Sequence, residues 1–308
     1  MNIYINEDID KNIWNQKVKN RIFYRFEWFY IIQNAYGLKP YYIFVENGEK
    51  FALIGSFLTS KGYISLPFVS YSGFYHNDSD TLEYLKEYLK NSNIEIDARN
   101  LYEDSELKGY VNPIATFESS EEFWKKIQPR FRSLLRKSQR KNLTFKENDS
   151  VDIFYKLYSI GMRNLGTPVH SKKYIEEIMS YLNGHIFTIY DENIPVGSMF
   201  CLSDDDTLAV LYAYTLPKYS KSYANYFLYL NVIEWMFKNS LKHFDMGRST
   251  YNQGTYFFKR KFRPKFYLIK SKLNYSENTK LQLASKIWKK LPLPVANILG
   301  TKIRKYLP

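Results

Sequence analysis

GHIFTIYDENIPVGSMFCLSDDDTLAVLYAYT, residues 184–215, decides the fold. Three apolar runs of strand length are separated by two short polar breaks, 191–193 and 204–206. Runs bounded in this way read as an antiparallel meander. The stretch that follows, SYANYFLYLNVIEWMFKN (222–239), brings Phe227, Leu230, Ile233 and Phe237 near one face and predicts a helix. HFDMG (243–247) reads as a strand ending at Gly247, GTYFFKRKF (254–262) as a short helix and PKFYLIKSKL (264–273) as a strand. Upstream, helices are expected over 151–163 and after Ser171.

The first half repeats this order more roughly. FYRFEWFYIIQNAYG (23–37) has helical spacing and ends at Gly37, and YYIFVENGEKFALIGSF (41–57) reads as two strands joined at Asn47-Gly48. GYISLPFVSYSGFYHN (62–77) reads as a strand and then an aromatic, glycine-rich loop. Asp80 with Glu83 forms a capping box for a helix to Lys90, and NIEIDARN (93–100) is a strand. The expectation is an α/β chain with mixed sheets, in the order of acetyltransferase-type folds. Two tandem GNAT-like domains would occupy 1–115 and 151–308, joined by a basic helical region at 116–150 and closed by a C-terminal helical tail.

Hydrophobic residues make up 45% of the 308, enough to bury real cores. The formal net charge of +13 attracts nucleic acid, phosphorylated metabolites or an acidic membrane surface, unless it is only lysine-rich drift. The single cysteine, Cys201, lies in the apolar run GSMFCL and reads as a buried thiol. MNIYINEDID has neither a basic region nor an apolar core of a signal peptide, so a cytoplasmic location is expected.

Three segments are dense in chemistry. Arg132, Arg136 and Arg140 are spaced four apart on one helix face, while Phe131 and Leu135 anchor another. Such a stripe either neutralises phosphates or is a solvated basic face. In GMRNLGTPVHSKKY (161–174), Arg163 and Asn164 end a helix, Gly166 and Pro168 shape a loop, and Thr167 and His170 follow as candidate contacts. A guanidinium fixed beside a rigid loop can grip a carboxylate or phosphate, whereas a lone histidine is also a common structural residue. In FDMGRSTYNQGTYFFKRKF (244–262), Asp245 either locks the turn with Arg248 or serves as a base or amine clamp. Arg248, Ser249 and Thr250 leave the strand at the end where ligands bind open sheets, with Lys259 in support. The sequence holds no GxGxxG after a strand, no P-loop, no GxSxG elbow and no zinc-ligand spacing.

RNLGTPVHSKKY (163–174), FDMGRSTYNQGTYFFKRKF (244–262) and WKKLPLPVANILG (288–300) resemble the FemAB-related proteins associated with exopolysaccharide and PEP-CTERM/exosortase gene clusters. RFRSLLRKSQRKNL (130–143) is similar to that group's basic helix, and SLPFVSYSGFY (65–75) to its cleft-lining loop. The wider group holds the peptidoglycan interpeptide-bridge aminoacyltransferases, with a tandem acetyltransferase fold. The chain has no long heptad run of the kind that forms the helical arm of some bridge-forming members. It also lacks the [QR]xxGx[GA] loop of ordinary acetyltransferases, having PKYSKSYANY (217–226) there.

The resemblance implies acyl or aminoacyl transfer to an amine or hydroxyl of a cell-envelope or exopolysaccharide precursor. Asp245, Arg248 and Arg163 are then the catalytic candidates, with Tyr212, Tyr214 and Asn225 lining the cleft. No bound cofactor or metal is expected, and acyl-CoA and aminoacyl-tRNA both stand as donors. The expected partners are the anionic precursor, charged tRNA and the anionic inner membrane surface. The last is suggested by a tail that mixes Trp288, Leu291, Val295, Ile298 and Leu299 with lysines; that tail equally reads as a helix pair closing the second domain. The other functions that fit are a non-catalytic binding protein for a polysaccharide precursor or RNA, and a small-molecule N-acetyltransferase.

Overall fold

The computed structural model describes residues 1–104, 106–271 and 279–307. Its strands form two sheets that repeat one plan. In the first, Asn2–Ile5, Pro40–Asn47, Lys50–Thr59 and Gly62–Ile64 run antiparallel. After the helix Ser79–Asn91, Ile96–Asp97 joins Gly62–Ile64 in parallel. In the second, Leu143–Lys146, Gly184–Asp191, Ile194–Ser203 and Thr207–Thr215 run antiparallel. After the helix Ala224–Lys238, His243–Asp245 joins Thr207–Thr215 in parallel. Helices also separate the first two strands of each sheet: Glu27–Tyr36 in one, Val151–Leu165 and Lys172–Tyr181 in the other.

The second sheet then gains two strands from 101–116, a stretch where the sequence predicts none and which up to 115 was assigned to the first half. Tyr110–Thr116 pairs with His243–Asp245, and Lys265–Ile269 pairs with both Tyr110–Thr116 and Leu101–Tyr102. A division at 115/116 therefore cuts through a central strand of the second sheet. The physical reason is that His243–Asp245 would otherwise end the sheet on unpaired backbone groups.

Local chemistry explains most element ends. Gly37 and Gly166 terminate their helices in the left-handed conformation, at φ 65° and 77°. Ser119, Ser150 and Ser171 each accept a backbone N–H at a helix start. Three expectations shift slightly. The first hairpin closes on the pair Asn47–Lys50, so its two-residue turn is Gly48-Glu49, with the positive φ of 63° at Gly48. The helix at 79 is capped by Asp78, which accepts from the Thr81 N–H, and not by Asp80. The strand expected over 264–273 spans Lys265–Ile269, and residues 272–273 lie outside the described residues.

One core crosses both halves, packing Trp14, Trp28 and Phe57 with Phe154, Tyr174 and Phe200. A second lies under the helix Ala224–Lys238 and holds Phe131, Phe187, Phe244 and Phe262. Cys201 sits fully buried in this core, and burial pushes its thiol well above the usual range.

Candidate active site

The parallel pair in the second sheet is short. Thr207–Ala209 faces His243–Asp245, and there the pairing stops. The first strand runs on to Thr215, while the second turns at Gly247 and re-enters the sheet as Ser249–Thr250 against Val111 and Tyr110. A wedge opens between the two. Such a split beyond the carboxyl ends of parallel strands is a natural ligand site.

The turn at its base is tightly determined. Gly247 has φ +69°, and a Cβ there would lie 2.8 Å from the Val210 carbonyl oxygen. Gly247→Ala should therefore destabilise the chain by about 2 kcal/mol or more. Gly254→Ala, where a Cβ would meet nothing within 4 Å, should be near neutral. Urea midpoints of the two variants check this.

Asp245 lies beneath the turn and is 1% exposed. One carboxylate oxygen accepts from the Gly247 N–H at 2.9 Å and from Asn112 Nδ2 at 2.8 Å; the other accepts from the Tyr71 hydroxyl at 2.9 Å. Burial raises its pKa, and these donors oppose the rise. The carboxylate is closed off from solvent and held by these three donors. Asp245 is a turn lock, but its partners are Gly247, Asn112 and Tyr71, where the sequence suggested Arg248. Tyr71 and Ser70 come from the first-half loop that resembles a cleft lining, and Ser70 Oγ accepts the Arg248 N–H at 3.0 Å.

Lys259, 7% exposed, donates from Nζ to the carbonyls of Gly247 at 2.8 Å and Arg248 at 3.1 Å. Burial lowers its pKa to about 7; the Asp245 charge opposes this and the Arg248 charge adds to it. The exposed Arg248 guanidinium stacks on the Tyr110 ring, 4.6 Å from its centroid. Ser249 is buried and Thr250 half-buried beside it. Two cations of different character thus meet at one backbone turn.

Along the other wall of the wedge stand Tyr212 and Tyr214, both half-buried. Burial pushes the Tyr212 hydroxyl up to about 12, and the charges of Arg304 and Arg248 pull it down. The Tyr214 hydroxyl accepts from Asn164 Nδ2 at 2.7 Å. A Cβ on Gly161 would lie 2.6 Å from the Tyr214 ring, so the helix Val151–Leu165, which bears Arg163, packs directly on this strand. Arg163 is half-buried there, with its Nε shielded from solvent, and Thr167 follows in the loop. Asn225 lies half-buried in the first turn of Ala224–Lys238.

His170 follows the structural alternative. It is fully buried, and its Nδ1 faces the Tyr36 hydroxyl. Its Nε2 accepts from Arg304 Nε at 2.9 Å. Burial, and then the Arg304 charge, push its pKa well down, so the ring is neutral and carries its proton on Nδ1. It anchors the turn at Arg304 against the inter-half core and is closed off from solvent. Nothing local in the sequence pairs residues 134 apart.

The basic helix spans Pro129–Gln139. Phe131 and Leu135 are buried, and Phe131 meets Phe262 and Tyr226, at the end of the Lys259 element and the start of Ala224–Lys238. On the opposite face Arg132, Arg136 and Arg140, with Ser133 and Lys137, line a recess of about 310 Å³.

Residues 126–260 match the family described as an acetyltransferase (GNAT) domain. The whole chain has a tandem GNAT fold. It superposes on FemX with a TM-score of 0.68 at 12% identity, covering 87% of this chain and 96% of that one. L-PGS from Bacillus licheniformis gives 0.55 at 11%, covering 92% and 98%. A tandem GNAT protein from the clavulanic acid biosynthesis pathway gives 0.52 at 6%, covering 87% and 97%. The FemAB-related motifs of the sequence and the likeness to FemX thus meet in the same fold. No functionally curated protein matches the chain in sequence.

Proposed function

We propose that the chain transfers an acyl or aminoacyl group to an amine or hydroxyl of an anionic cell-envelope or exopolysaccharide precursor, with the reaction in the wedge of the second sheet. The observation that carries this reading is the pairing of Lys259 and Arg248 at the Gly247 turn. Acyl transfer generates an oxyanion, and a desolvated cation stabilises it far more than water does. Lys259 is fixed by two carbonyls; as an ammonium it keeps a third N–H for that oxygen. Arg248, over the Tyr110 ring, is the first candidate for binding the acceptor's anionic group. Arg163, on the helix packed against the Tyr214 strand, is the second candidate for that group. The amine must shed a proton, and with Asp245 sequestered the base is a substrate group, such as a phosphate or carboxylate of the precursor.

The donor is read from the basic helix. Its buried side touches the start of Ala224–Lys238 and the Lys259 element, and its opposite face carries the arginine recess. That suits a polyphosphorylated donor, either acyl-CoA or aminoacyl-tRNA. The test is transfer of a labelled group from each donor to lipid- and nucleotide-linked envelope precursors. Charge reversal of Arg132, Arg136 and Arg140 together should weaken donor binding by at least about a hundredfold, and wild-type affinity should fall with added salt. Arg248→Lys should raise KM for the acceptor about tenfold or more. No transfer from either donor, with salt-independent binding, overturns the reading. CoA release with small amines alone selects a small-molecule acetyltransferase instead.

A further inference from the structure

The helices Thr279–Trp288 and Leu293–Ile303 dock on one loop of the second half. Ser285 of the first closes on Gly166, where a Cβ would lie 2.6 Å from the Ser285 carbonyl oxygen. Gly300 of the second closes on Val169, where a Cβ would lie 2.9 Å from the Val169 nitrogen, and Ala296, one turn earlier, is buried too. Small residues therefore face inward. Five bulky apolar ones face outward, while Trp288, Leu291, Leu293 and Ile303 are half-buried: Leu283 is 61% exposed, Ile287 and Ile298 each 60%, and Val295 and Leu299 about two-fifths. This inverts the usual pattern, in which a surface helix buries its large apolar side chains. Leu165, 64% exposed at the edge of the same loop, extends the patch.

The charge carried by these two helices has one sign. Residues 285–308 contain five lysines and Arg304 and no acidic residue, nearly half of the chain's net +13. Lys286, Lys289, Lys290 and Lys302 are exposed on the two helices and the turn between them. Among the described residues no helix is long and apolar enough to cross a membrane. An apolar face rimmed by lysines lies in the plane of a membrane surface, its side chains among the acyl chains and its ammonium groups at anionic headgroups.

We infer that the outward face of these two helices docks the chain on an anionic lipid bilayer. Both helices are clamped to the loop at 165–170, which follows the helix bearing Arg163 and Asn164, so docking holds the second-half wedge at a fixed height above the lipid surface. The inference does not depend on the transfer reaction.

The test is co-sedimentation of the full chain with vesicles of phosphatidylcholine alone and of phosphatidylcholine mixed with phosphatidylglycerol. Binding is expected only to the mixed vesicles, weakening with salt. Ile287→Glu with Ile298→Glu changes two exposed side chains, so the fold should survive, which circular dichroism checks; binding should drop by about tenfold or more. No binding to mixed vesicles, equal binding to neutral ones, or a folded double variant that binds like wild type each overturns the proposal. So does a wild-type dimer that the double variant converts to monomer, because the face is then a contact between copies of the chain.

Discussion

Replacing Lys259 by Met should lower the transfer rate by about a hundredfold to a thousandfold, the usual scale for removing one oxyanion-stabilising donor from a desolvated site. The pH dependence follows from the same burial. With the amine at about 7, kcat/KM should fall as pH rises through that value, because the cationic form is the active one. A bound anionic donor favours the ammonium, so the fall in kcat should come at higher pH than the fall in kcat/KM. Lys259→Arg, charged throughout, should be slower but should lose the falling limb. A wild-type profile that instead rises through pH 7 and flattens in both variants would make Lys259 the base and reject the oxyanion role. Stability carries the opposite sign. Between about 7 and the ordinary 10.5, the folded chain binds fewer protons at this amine than the unfolded chain does. Stability therefore rises with pH there, by at most about 1.4 kcal/mol per unit, and Lys259→Met should flatten the slope.

How much of this was legible varies with the range of the interaction. The meander at 184–215, the helix at Ala224–Lys238 and the strand before Gly247 follow from local periodicity and turn chemistry, and they place the wedge. Arg132, Arg136 and Arg140 line one recess because helical spacing alone requires it. The roles within the wedge were less legible, because they are decided by distant partners. Asp245 is claimed by Tyr71 and Asn112, 174 and 133 residues away. His170 is claimed by Tyr36 and Arg304. The crossing of Tyr110–Thr116 into the second sheet is likewise invisible, since an apolar strand does not announce which edge it will cover. Lys259 was read from the sequence only as a supporting cation; its burial comes from packing, which leaves it 7% exposed beside exposed or half-buried neighbours.

The second large effect separates a lock from a base at Asp245. Asp245→Ala strands the Gly247 N–H, the Asn112 amide and the Tyr71 hydroxyl, and it leaves the Lys259 ammonium without its nearby countercharge. Unpaired buried donors cost about 1–3 kcal/mol each before relaxation, so a loss of about 3–5 kcal/mol is expected. Asp245→Asn has a better option. Its carbonyl oxygen can accept from Gly247 and Asn112, while its amide donates to the Tyr71 oxygen, which reverses its role. The loss should then stay below about 1.5 kcal/mol by urea midpoint. The two variants should also differ in activity. A turn lock predicts that folded Asp245→Asn keeps transfer within about tenfold of wild type, whereas a general base predicts a loss of about a hundredfold or more in both. The variant should leave a further signature. Asp245 holds the Lys259 pKa up, so neutralising it lowers that pKa, and the falling limb of kcat/KM should move to lower pH in Asp245→Asn. An unmoved limb in a folded, active variant would mean that the turn carbonyls, not the carboxylate, set the charge on Lys259.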